Sequence, residues 1–380
     1  MTPGRLVALA VALSLVAVRP LAAAEIHIGA FLSATGQMSL MGDPEKKALE
    51  QLVADANAKG GVAGHALRLT VYDDGSDPEK AVTIVKRLIE NDRVDLLIGG
   101  SGTPTSLAVL PTVERARIPF MSLGGGVGIV EPVRQWTFKV PHTDRMAAEK
   151  ILIDMKRRGV TRMALLSENV GFGKSGRDQT LKLAPAHGIE VVADETYGPR
   201  DPDVTAPLTK IRSTPGVQAL FVFGTGRGPA VVTRNIRQLG LTMPVYQSHG
   251  VVSKDFLRLV GTAADGMRLP AAGMAIPDQL PDGDPQKPVV LAFRAAFEAY
   301  WKEEVNMFAG HAYDAFWIAM KAVERAGGPD KARVRDEIER TRGFVGTGGI
   351  VTMSATDHLG LGLDAFHMVE VRGGEFVPVD

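Results

Sequence analysis

The chain has 380 residues, 43 Lys and Arg balanced by 43 Asp and Glu, 45% hydrophobic residues and no cysteine. That length allows two domains with cores of their own, and the charge balance argues against a general nucleic-acid binder, which needs a basic excess to neutralise phosphates. The lack of cysteine excludes disulfides, thiolate metal sites, a cysteine nucleophile and a lipid-bearing N-terminal cysteine.

Residues 1–24 read as a secretory signal. Arg5 supplies the positive start, residues 6–18 are apolar, and Ala22, Ala23 and Ala24 form a small-residue cleavage site. The apolar run is shorter than the ~20 residues a membrane span needs, so cleavage after Ala24 is expected rather than a retained signal anchor. No later stretch is apolar enough to span a bilayer. The expected location is therefore the periplasm.

From Ile26 onward, short apolar runs alternate with longer amphipathic ones. Strands are predicted at 26–32, 67–72, 94–99 and 118–122, with helices at 44–58, 78–91 and 104–116, each opening on a proline that a first helical turn tolerates. A second series predicts strands at 162–167, 189–196, 217–223 and 243–247, and helices at 144–158, 176–186, 204–213 and 228–239. Such alternation means parallel sheets covered on both faces, so the expected fold class is α/β with two doubly wound lobes. Three successive helices (288–302, 308–326, 331–341) and strands at 349–353 and 365–371 break the rhythm. These helices are expected to return to the first lobe.

Gly171-Phe172-Gly173-Lys174-Ser175-Gly176 matches a dinucleotide fingerprint, with Glu195 further on. Residues 167–170 nevertheless separate it from the strand core, and it does not open a domain, so a Gly-rich strand-to-helix bend is the preferred reading. An exported NAD-dependent enzyme remains the alternative. A Walker A reading fails because Glu168 stands where its first glycine belongs. No G-x-S-x-G elbow or His-Glu-x-x-His spacing occurs, and no cofactor or metal is expected.

Three segments suit a small anion better. Gly99-Gly100-Ser101-Gly102-Thr103-Pro104-Thr105 opens a helix with hydroxyls and free N–H groups. Gly124-Gly125-Gly126 and Gly224-Thr225-Gly226 each follow a strand, at the C-terminal ends where open α/β sheets bind ligands. Tight turns that merely need glycine are the alternative.

In this order, these segments resemble the branched-chain amino-acid type of periplasmic solute-binding protein serving ABC importers, a type I periplasmic binding protein. The resemblance also rests on Ile28-Gly29 leading to Thr35-Gly36, Asp73-Asp74, Pro119-Phe120-Met121-Ser122, Tyr197, Gly240-Leu241, Pro244-Val245-Tyr246, Ala312-Tyr313-Asp314-Ala315 and Gly346-Thr347-Gly348-Gly349. It implies two lobes joined by three crossovers, near 140–143, 269–273 and 345–350. Lobe 1 would take residues 25–141 and 272–346, and lobe 2 residues 142–271 and 347–380. It further implies a non-enzymatic monomer that closes on its ligand and is read by a membrane permease, with no nucleic-acid partner.

By the same resemblance, Ser101, Thr103, Thr105, Gly124, Gly125 and Gly126 would hold a ligand carboxylate. The positions that grip the ammonium in amino-acid binders carry Gly126, Phe172, Thr225 and His249 here, and no acid lies between Tyr246 and Val252. An ammonium buried without a counter-charge costs several kcal/mol. The segment 103–107 and Ser248-His249-Gly250 are similar to members that bind aromatic or aryl-keto acids. Phe308 and Met41 would line the side-chain pocket, unless they are core packing. The ligand is thus expected to be a small aromatic or 2-oxo acid. Amino acids are the alternative, requiring Glu168 or Asp314 to reach the cleft.

Overall fold

The computed structural model describes residues 25–379; the signal expected at 1–24 lies outside them. The first sheet is entirely parallel. Its strands are β1 (Ile26–Leu32), β2 (Leu67–Asp73), β3 (Leu96–Gly99), β4 (Phe120–Ser122) and β5 (Thr137–Lys139), in the order β2-β1-β3-β4-β5. Every residue of β1 is buried, because helices cover both faces of a parallel sheet.

Helices α1 (Ser39–Ala58), α2 (Pro78–Glu90) and α3 (Thr103–Ala116) alternate with these strands. Helix α2 shows why. Asp77 caps it by accepting the N–H groups of Glu79 and Lys80, Pro78 occupies the first turn, and Ala81, Ile84, Val85 and Leu88 form one buried stripe. In α1 the proline expectation needs correcting. The helix starts at Ser39, ahead of Pro44, which lies inside it. Pro44 is the sixth residue of the helix, so its ring forgoes the bond to the Leu40 carbonyl, a loss outweighed by the buried face of α1 that carries Leu49, Leu52 and Val53.

The second sheet has the order β14-β13-β10-β9-β8-β6-β7. Its parallel strands are β6 (Arg162–Glu168), β7 (Glu190–Tyr197), β8 (Ala219–Phe223), β9 (Val245–Gln247) and β10 (Arg268–Ala271). Helices α4 (Asp144–Arg157), α5 (Gly171–Leu183), α6 (Thr205–Ser213), α7 (Gly228–Gln238) and α8 (Lys254–Val260) accompany them. β13 (His367–Arg372) and β14 (Glu375–Pro378) add antiparallel strands to one edge. Of these, the short strands β5 and β10, the helix α8 and the strand β14 were not among the predicted elements, and β10 lies where only a crossover was expected. Inside this lobe Arg268 grips Asp154 with two bonds of 2.9 and 2.8 Å, and Tyr246 donates to the same carboxylate at 2.9 Å. The pairing ties α4 to two central strands.

Helices α9 (Gln286–Trp301), α10 (Met307–Ala326) and α11 (Lys331–Glu339) do return to the first lobe. α10 packs along α1, and buried residues surround nearly its whole circumference. The hairpin β11 (Phe344–Val345) and β12 (Ile350–Val351) follows. The chain therefore passes between the two sheets after β5, after β10 and around β11–β12, where the resemblance placed its crossovers.

The fingerprint-like glycines have packing roles. Gly171 opens α5 with φ +53 and lies against Pro104 of the first lobe. At Gly176, a Cβ would strike the Phe223 ring, so α5 lies directly on β8.

Candidate functional site

A narrow void of about 20 Å³, room for roughly one water molecule, lies between the two sheets and is lined from both lobes. From the first lobe come Met41, Gly102, Thr103, Leu123, Gly125, Phe308 and His311, with Pro141 from the first crossover. The second lobe adds Phe172, Thr225, His249 and Gly250.

The lobes touch around it. Thr225 Oγ1 lies 3.1 Å from Met41 Sδ and donates to the Gly250 carbonyl at 3.0 Å. Arg145 of α4 pairs with Glu131 at 2.8 Å, and Arg258 of α8 pairs with Glu304 ahead of α10. The structure is thus a closed form of the cleft.

Seven of the eleven residues singled out in the sequence line this void: Met41, Thr103, Gly125, Phe172, Thr225, His249 and Phe308. Met41 and Phe308 also belong to the main apolar core. Ser101, Thr105, Gly124 and Gly126 do not line it. Ser101 Oγ accepts the Ser33 N–H at 3.0 Å and lies beside Glu45, whose fully buried carboxyl is pushed well above its usual range by desolvation. Thr105 turns back to cap its own helix, donating to the Gly102 carbonyl at 3.0 Å. Gly124 donates to Ser122 Oγ at 3.1 Å, and Ser122 in turn meets Ser106 Oγ at 2.8 Å, which ties the two glycine loops together. Gly126 packs against the Thr103 side chain and opens a short 3-10 turn at Val127–Ile129.

Thr103 is the first residue of α3 and 2% exposed, and its Oγ1 has no partner among the described residues. Its backbone N–H is also one the helix cannot use, so Thr103 brings an unpaired hydroxyl and the positive helix end to the wall of the void. Ser248 and His249 divide their roles clearly. The Ser248 hydroxyl donates to the Gly224 carbonyl at 2.7 Å, while His249 turns to the void. There the Phe172 ring meets its imidazole edge-on, with centroids 5.2 Å apart at 87°.

Five lining residues, Gly102, Leu123, Pro141, Gly250 and His311, are outside those eleven, and of these only His311 carries a titratable group. It follows Phe308 by three positions on α10, so the same helix face carries both, and their rings are 5.8 Å apart. Naming Phe308 was signal enough to find it. Burial pushes the pKa of His249 and of His311 down to about 3, helped by neighbouring positive charge.

The acids considered as ammonium partners lie elsewhere. Glu168 is one layer behind Thr225 and accepts its backbone N–H; desolvation raises its carboxyl to about 8. Asp314 accepts from Thr347 and Gly348 in the last crossover. Among the described residues, no Asp or Glu lines the void.

Two α/β lobes enclosing a small cavity at their strand ends, joined by several crossovers, define a class: receptors that close on a small solute. The periplasmic binding protein family matches residues 25–375, and the chain belongs to that family. It is 25% identical over 339 residues to the leucine-, isoleucine-, valine-, threonine- and alanine-binding protein of Pseudomonas aeruginosa, covering 87% of this chain and 86% of that protein. An extracellular ligand-binding receptor from Rhodopseudomonas palustris HaA2 superposes with a TM-score of 0.88 at 26% identity, over 93% of this chain and 99% of that one. A solute-binding protein of an ABC transporter from Rhodopseudomonas palustris BisB5, in complex with 3,4-dihydroxybenzoic acid, shares the fold. Its TM-score is 0.80 at 18% identity, over 94% of this chain and 96% of that one.

The type I periplasmic binding fold is therefore that of this chain. The family places it outside the cytoplasm, implies an ABC permease as partner, and consists here of receptors rather than enzymes. Among the described residues, no helix is long and apolar enough to cross a membrane.

Proposed function

We propose that the chain is the periplasmic receptor of an ABC importer for a small carboxylate without an amine, an aromatic or 2-oxo acid. The observation that carries this reading is the lining of the void. It offers a free hydroxyl at a helix N-terminus, two imidazoles and two phenyl rings, and no acid to meet an ammonium. The carboxylate would lie at Thr103 and the Gly125 loop, and the apolar body between Phe172, Phe308 and Met41. The fold accommodates such a ligand, since the dihydroxybenzoate-bound neighbour shares it.

In this reading the protein acts as a monomer and not as an enzyme, and its leader is cleaved after Ala24. Residues 25–141 with 272–346 close against residues 142–271 with 347–380, and the permease reads the closed form. The second reading, an amino-acid receptor, is supported by the similarity to the Pseudomonas leucine-, isoleucine-, valine-, threonine- and alanine-binding protein. It requires Glu168 to displace Thr225 from its place in the wall.

A thermal-shift panel on refolded, ligand-stripped protein separates the two, pairing phenylalanine with phenylpyruvate and leucine with 2-oxo-4-methylpentanoate, and adding 4-hydroxybenzoate. Ligand at ~1,000 times its Kd stabilises by about 4 kcal/mol. A shift with the acids alone supports the amine-free reading, whereas a shift with the amino acids alone overturns it. A response to NAD with silence from both would revive the enzyme.

A further inference from the structure

Two imidazoles line the void, and two further nitrogen-bearing side chains stand near enough to act on them electrostatically. His249 follows β9 and His311 lies on α10, and both line the void. His142 stands in the first crossover, its ring stacked on Phe366 with centroids 3.6 Å apart. Lys139, at the end of β5, points its ammonium at the carbonyls of Pro141, a lining residue, and His142. All four are buried. Among the described residues, His311 has neither ring nitrogen in a hydrogen bond, and His249 Nδ1 has no partner.

Unpaired ring nitrogens of this kind are natural partners for an acid oxygen, which accepts from an N–H donor. A buried polar atom left without a partner is unfavourable, and an oxygen acceptor in the void would satisfy these ring nitrogens. These side chains do not suit a metal ion, since no group of three such donors is arranged for one among the described residues.

We propose that His249 and His311 form an oxygen-anion subsite that grips an acid oxygen of the ligand and takes up a proton as the ligand binds, with Lys139 and His142 sharing that charge. This rests on the acid reading given above. The charged groups facing the cluster are few. Asp144, on α4, is the one acid acting on Lys139, and it is already engaged by the N–H groups of Val127 and Arg145. Asp314, on α10, is directed at Thr347 and Gly348, and Glu168 lies behind Thr225. His358 stacks on Phe138 and bonds the Thr137 carbonyl, away from the void.

The direction of the linkage follows. In the closed cleft, desolvation and repulsion from neighbouring positive charge hold the imidazoles neutral, and desolvation lowers Lys139 to about 7 against the pull of Asp144. A bound anion favours the protonated form of every one of them. Binding therefore takes up protons, and affinity rises as pH falls.

The test is isothermal titration of the chain from Glu25 onward with phenylpyruvate, 4-hydroxybenzoate and 2-oxo-4-methylpentanoate, in phosphate, HEPES and Tris at pH 7. The dependence of the measured heat on buffer ionisation enthalpy gives the protons taken up per ligand. For the acid that binds, the expected result is net uptake and an affinity about ten-fold tighter at pH 6.0 than at pH 8.5. The H311Q and H249Q variants should each lose part of that uptake. Equal heats in all three buffers with a Kd independent of pH would overturn the inference while leaving the acid reading intact. Failure of all three acids to bind, with amino acids binding, would remove the acid reading and this inference with it.

Discussion

Asp314 Oδ1 on α10 accepts the backbone N–H of Thr347 at 2.6 Å, and its Oδ2 accepts that of Gly348 at 2.8 Å. One fully buried carboxyl thus fixes the last crossover to the helix that also carries Phe308 and His311. Its pKa is raised to about 7 by desolvation, against the pull of these bonds. Replacing Asp314 by Ala strands two buried N–H groups, and is expected to cost about 2–4 kcal/mol in urea unfolding. Gly346→Ala should destabilise as well, because its Cβ would sit 2.6 Å from Asp314 Oδ1.

Glu168 should make stability depend on pH. An unfolded glutamate releases its proton near 4.5, whereas burial holds this one to about 8. The unfolded chain thus loses its proton first, and stability falls as pH rises from about 5 to about 8. Glu168→Gln removes that dependence and is expected to stabilise the protein by roughly 2 kcal/mol at pH 7. Denaturant midpoints at pH 6, 7 and 8 check the slope. Acid binding should be unchanged in this variant, while an amino-acid receptor that used Glu168 would lose its ligand.

The free hydroxyl of Thr103 offers a test with little structural cost. Thr103→Val keeps the shape and removes a group that has no partner in the empty cleft. Melting without ligand should change little. A hydrogen bond to a charged group is worth ~1.5–3 kcal/mol, so acid affinity should fall about ten- to a hundred-fold by titration calorimetry.

Closure should fail when Gly171 gains a side chain. Its φ of +53 strains any other residue, and a Cβ there would overlap the Pro104 ring across the cleft. Gly171→Ala is expected to hold the lobes apart, enlarging the radius of gyration in solution scattering with ligand present and weakening binding about ten-fold.

The alternation of apolar strands with capped helices was legible in the residues, as α2 shows, because those signals are local. The glycine loops were recognised as the floor of a cleft, but their atoms were not told apart. Ser101 and Thr105 carry the same hydroxyl chemistry as Thr103, and only packing decides which of the three is free. In the sequence, Ser33 and Ser101 are far apart, yet their hydrogen bond is what removes Ser101 from the void. The limits of α1 were misplaced because Pro44 looks like a helix start and is tolerated as an interior residue.

By itself, the order of residues determined the two α/β lobes and the family they belong to, and it pointed to loops of which several residues line the void. Periodicity, caps and turn glycines act over a few residues, so a linear reading captures them. Only the tertiary structure decided which donors remain free. It consumed Asp314 in a crossover, set Glu168 behind Thr225, and brought His249, His311 and Lys139 together across three separate parts of the chain. Burial and hydrogen-bond satisfaction depend on neighbours remote in sequence, and these assign each polar group either to the scaffold or to the solute.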